Sequence, residues 1–182
     1  WRELHQVTIT AAADADYHSS RATIAARLPG GESGQITISE IDDDLPPARL
    51  YVDGRATGAG TGVSWEDAMA DLQTALAGAA VHAAVQEVWI ASGTYRPGIQ
   101  DDGARASFRI RTALVVRGGF TGTESDPAQR PLTGAAVVLS GDNDQDDLAG
   151  VTTDNALHVV RMDACDAVTL LERVEITGGR AG

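Results

Sequence analysis

The chain is predicted to be mostly β: a small β unit followed by a parallel β-helix that opens with a capping α-helix. Three observations carry this prediction. Short β-branched strands recur at a spacing of about 16–26 residues, which matches one β-helix coil better than a hairpin sandwich. Glycine follows several of them (Gly93, Gly118-Gly119, Gly141, Gly178-Gly179), as a chain turning tight corners requires. A single amphipathic helical stretch precedes the series, and no helical pattern separates the later strands, which argues against a doubly wound α/β sheet.

The first unit spans residues 1–44. Alternation predicts strands at 6–10 (Val7 and Ile9 on one face), 21–27 (Ala22, Ile24, Ala26) and 35–41 (Ile36, Ile38, Ile41). Turn chemistry separates them, with Asp14 and Asp16 in the first turn and Pro29-Gly30-Gly31 in the second. So few large apolar residues cannot bury a self-sufficient core, so further strands are expected upstream of Trp1 or borrowed from a neighbour. Asp42-Asp43-Asp44 followed by Pro46-Pro47 marks the boundary: adjacent carboxylates disfavour a strand interior and the prolines stiffen the exit. Residues 45–48 form the linker, and the second domain runs over 49–182.

The second domain opens with a strand at Tyr51-Val52 and a Gly-rich loop. The spacing then predicts a helix starting at Ser64, whose S-x-x-D pattern with Asp67 resembles a capping box. Trp65, Ala68, Met69, Leu72, Ala75, Leu76 and Ala79 fall on one face, and Glu66, Asp67 and Asp71 suit the N-terminal end of the helix dipole. The helix is expected to fade between 78 and 84. Strands follow at 87–91, 108–111, 113–117, 136–140, 157–161 and 170–177.

Composition narrows the partners. Among 182 residues, 26 are acidic and 14 basic, a formal charge of −12; every basic residue is arginine. Such a surface repels nucleic acid and anionic membrane, so neither is expected as a partner. A GC-rich genome, which also enriches alanine and glycine, is the more economical account of the missing lysine, with a functional one as the alternative. The lone Cys165 rules out an internal disulfide framework, and its neighbours Asp163 and Asp166 disfavour a thiolate. No signal peptide or membrane span is visible, and both ends read as interruptions of a longer polypeptide.

Residues 51–182 resemble the N-terminal cap and first coils of bacterial right-handed parallel β-helix proteins of the pectin-lyase-like superfold. The resemblance rests on Tyr51-Val52-Asp53, Gly60, Gly62, Ser64-Trp65, Val88-Trp89-Ile90-Ala91, Gly93-Thr94-Tyr95, Gly118-Gly119-Phe120, Glu124, Arg130, Leu139-Ser140-Gly141-Asp142, His158-Val159-Val160 and Glu175-Ile176-Thr177-Gly178-Gly179. Residues 1–44 more loosely resemble the last strands of a Calx-beta-like β-sandwich, through Val7 to Thr10, the two turns, and Ile38-Ser39-Glu40-Ile41-Asp42-Asp43-Asp44. Together these likenesses imply a large modular protein, extracellular or on the bacterial cell surface. Its expected partners are a polysaccharide or surface glycan and neighbouring domains of the same chain, with self-association through an open last coil. The superfold hosts lyases, hydrolases, adhesins and phage spikes, so two functions stay open. One is a non-catalytic structural or adhesion segment. The other is the N-terminal part of a polysaccharide lyase or glycoside hydrolase whose active site lies in later coils.

Candidate chemistry is sparse. Asp142, Asp144 and Asp146 offer carboxylates at i, i+2 and i+4 of a loop, a pattern that can wrap calcium or simply be solvated; the loop lacks the glycine and distal glutamate of an EF-hand. The Calx-beta likeness implies a calcium role for Asp42, Asp43 and Asp44, with a charged linker as the alternative. Glu124 and Arg130 are expected to close a turn as an ion pair. Tyr95, Trp89 and Phe120 are either a sugar-stacking platform or, more economically, cap packing. His5, His18, His82 and His158 show no metal-ligand spacing, His158 being expected in the core or a ladder. The GAGTG run at 58–62 lacks the lysine and spacing of a phosphate loop. No catalytic residue is expected in this segment.

Overall fold

The computed structural model describes residues 8–10, 17, 21–27, 33–40, 44, 46–98, 107–110, 113–153, 155–162 and 168–180. The chain divides into two compact units, Trp1–Leu45 and Pro46–Gly182.

In the first unit, strands β1 (Arg21–Arg27) and β2 (Ser33–Ser39) pair antiparallel, with Ile24 opposite Ile36 and Thr23 opposite Thr37. Their period-two alternation collects Ala22, Ile24 and Ala26 with Ile36 and Ile38 on one face. Ile24 and Ile36 nevertheless stay exposed. The strand expected at 6–10 lies partly outside the described residues, and 8–10 are not strand.

The second unit is mostly β with one α-helix among its described residues. Its strands are β3 (Arg49–Val52), β4 (Glu87–Ala91), β5 (Gly93–Tyr95), β6 (Phe108–Ile110), β7 (Val115–Phe120), β8 (Val137–Ser140), β9 (Val160–Met162), β10 (Leu170–Glu172) and β11 (Glu175–Thr177). They form three sheets ordered β10-β7-β4-β3, β11-β8-β5 and β6-β9, and every pairing in them is parallel. The chain visits these sheets in one order: β4, β5, β6, then β7, β8, β9, then β10, β11. Inward residues alternate with outward ones, so Leu50, Val52, Val88, Ile90 and Val116 are buried from the first sheet, with Val137 and Leu139 from the second and Phe108 and Ile110 from the third.

The register corrects the expected spacing. Glu87 stacks on Val115, and Val115 on Leu170, so stacked strands lie much further apart in sequence than consecutive strands do. The 16–26-residue recurrence measured steps from strand to strand, not from one passage to the next. The strand expected over 170–177 is broken in two by Arg173, whose φ is +55°, and its halves join different sheets.

The helix α1 (Leu72–Val81) starts later than its apolar periodicity predicts. Ser64 Oγ does accept from Asp67 N (3.1 Å), but this closes only a turn. Further on, Met69 N donates to Tyr51 O at 2.9 Å and Met69 O accepts from Asp53 N at 3.0 Å. This bridge to β3 takes both backbone groups that a helix would need. The cap is Asp71, whose carboxylate accepts from Gln73 N (3.2 Å) and Thr74 N (2.9 Å). Leu72, Ala75, Leu76 and Ala79 are buried as α1 packs on β3, β4 and β6.

Two glycines act differently from the corner role expected of them. A Cβ on Gly118 would sit 2.5 Å from Arg173 O, and one on Gly141 2.5 Å from Gly178 O. Both are small because the next passage of backbone lies against them.

Candidate functional site

The outward face of the first sheet carries the most built cluster of charge among the described residues. Parallel register aligns Arg49 with Glu87, and Tyr51, Trp89, Arg117 and Glu172 in one row. Arg49 Nε donates to Glu87 Oε2 (3.0 Å), which also accepts from Trp89 Nε1 (2.9 Å). Arg117 Nε lies 3.6 Å from Glu87 Oε1, an ion pair without a hydrogen bond, and Arg117 Nη1 donates to Glu172 Oε1 at 2.6 Å. Arg130 closes the row from a loop, its Nη2 lying 2.9 Å from Glu172 Oε1 while Nη1 and Nε donate to Gly118 O and Pro127 O.

Beneath the charges lies an aromatic stack. Trp89 and Phe120 are parallel with centroids 4.4 Å apart, and Tyr51 meets Trp65 and Trp89 edge to face. The Arg49 guanidinium sits 3.7 Å above the Trp89 ring and that of Arg130 5.1 Å from the Phe120 centroid, both within cation–π range. Trp65 Nε1 donates to Glu124 O (2.8 Å), so its polar edge is satisfied.

Burial decides what this cluster can do. Trp89 and Phe120 are fully buried and Tyr95 is 5% exposed, so none offers a ring face to a sugar; these aromatics pack the interior. Tyr95 Oη donates to Ala91 O (2.9 Å), and burial pushes its phenol up to about 12 against the Gly54 N–H that favours the anion. Burial by itself would raise the Glu172 carboxyl, but hydrogen bonds from Arg117 and Arg130 outweigh it and hold the group below the usual carboxylate range. A carboxyl held ionised in this way cannot serve as a general acid near neutral pH.

Arg130 does not pair with Glu124, as the sequence suggested. Glu124 is buried and accepts from Thr121 N and Oγ1 (both 2.8 Å), Gly122 N (3.1 Å) and Thr123 N (3.0 Å). Burial would raise its carboxyl, yet the Thr121 and Thr123 N–H groups and the Thr121 hydroxyl hold it below the usual range. A TGTE turn folding onto its own carboxylate satisfies Glu124 locally, and Arg130 is left for Glu172.

The acidic loop follows β8. Asp142 Oδ1 accepts from Asp146 N (3.1 Å), Arg96 Nε donates to Asp142 O (2.8 Å), and Gly98 N donates to Asn143 Oδ1 (3.2 Å). Asp144 is exposed, while Asp142 and Asp146 are half-buried. Among the described residues no group of three or more His, Cys, Asp and Glu forms a metal-holding cluster. Asp147 Oδ1 instead accepts from Asn155 Nδ2 (2.9 Å), and Asn155 is buried. Asp42, Asp43, Cys165, His5 and His18 lie outside the described residues; Asp44 is exposed. His158 is exposed rather than in the core. Among the described residues no helix is long and apolar enough to cross a membrane.

Sequence reasoning missed Arg49, Glu87, Arg117 and Glu172. Each sits at an outward position of an alternating strand, which is a visible signal, but their mutual contact depends on a register that the loops conceal. No protein-family model, no curated protein and no solved structure matches the chain.

Proposed function

We propose that this chain is a non-catalytic structural and adhesive segment of a large modular bacterial protein, extracellular or on the cell surface, and that Pro46–Gly182 is the capped start of a right-handed parallel β-helix. The observation that carries the reading is the recurring order of parallel strands through three sheets, with α1 packed on β3, β4 and β6. Gly118 and Gly141 support it, since each admits the next passage of backbone at contact distance. A stack of this kind is stiff along its axis and suits a part that projects or joins other domains.

The chemistry of the outward face supports the non-catalytic half of the reading. Glu87 and Glu172 are neutralised by guanidiniums, and Glu124 is consumed by its own loop. A glycosidase needs a protonated and an ionised carboxyl facing one bond, and no such free pair is formed by these groups.

The test is incubation of the chain with polygalacturonate and other uronate polymers in the presence of calcium. The expected result is polymer of unchanged length, with no unsaturated or reducing ends released. Turnover abolished by a substitution within residues 46–180 would overturn the reading in favour of an enzyme.

A further inference from the structure

We draw no further inference here: the strongest candidate, the groove of about 570 Å³ between the C-terminal end of α1 and the starts of β4 and β7, lined by Val81, Val85, Val115 and Val168, is an open apolar face and nothing in the structure shows what covers it.

Discussion

Glu124 shows how a single side chain can be read correctly as important and wrongly as to partner. Its separation from Arg130 suits a loop-closing ion pair, and the chemistry of both groups allows one. Three backbone N–H groups and a hydroxyl within the same turn reach the carboxylate first. Glu124→Gln removes acceptor capacity and leaves buried N–H groups short of a partner, a loss of about 1–3 kcal/mol. The pH dependence follows from the lowered carboxyl. A group depressed in the folded state contributes stability that is full above its unfolded value, near 4.5, and is lost as pH falls through the folded one. Thermal melts across acid pH are therefore expected to show a lower melting temperature for Glu124→Gln at pH 7 and a shallower decline below about pH 4.5. Equal slopes in the two proteins would show that Glu124 is not the titrating group.

Helix α1 illustrates the limit of periodicity. The apolar face from Trp65 to Ala79 is real, and its second half is the face that α1 buries. The first half is not helical because Met69 is bound to β3 on both its N–H and its C=O. Such a bridge is invisible in sequence, since Met69 and Val52 meet only once the Gly-rich loop has folded back, where Gly62 lies against the side chains of Leu50 and Met69. Asp71→Ala is expected to destabilise the unit by about 1 kcal/mol, the usual cost of an N-cap. Ser64→Ala is expected to cost less, because its hydroxyl closes a turn and starts no helix. Chemical denaturation of the two variants distinguishes the positions, and a larger loss at Ser64 would move the functional cap back to the predicted place.

Across the second unit, stability is set by how passages of chain lie on one another. β7 and β8 have a strand on each side, whereas β10 and β11 are bordered on one side only among the described residues. Leu170 and Ile176 on those outer strands are exposed, while Val116 and Leu139 on the inner ones are buried. Amide hydrogen exchange is therefore expected to be slowest in β4, β7 and β8 and fastest in β10 and β11. The ladder Arg49–Glu87–Arg117–Glu172–Arg130 ties these passages laterally. Glu172→Gln should speed exchange in β10 more than in β4, because Glu172 receives both Arg117 and Arg130. Uniform exchange across the sheets would contradict this gradient.

The positions of most strands and the buried face of α1 were legible from residues 49–182 alone. These depend on alternation, β-branching and turn chemistry within a few residues, which act before any distant contact forms. The candidate ladder was not legible, although each of its members is a polar residue on an alternating strand. Neither was the role of Gly118 and Gly141, the break at Arg173, or the meeting of Asp147 with Asn155. All of these join segments whose separation is set by loops of unequal length, so register cannot be counted from sequence. It is chosen when buried faces of successive passages pack together, and a shift of one residue would turn Val88 and Val116 outward and Glu87 and Arg117 into the core.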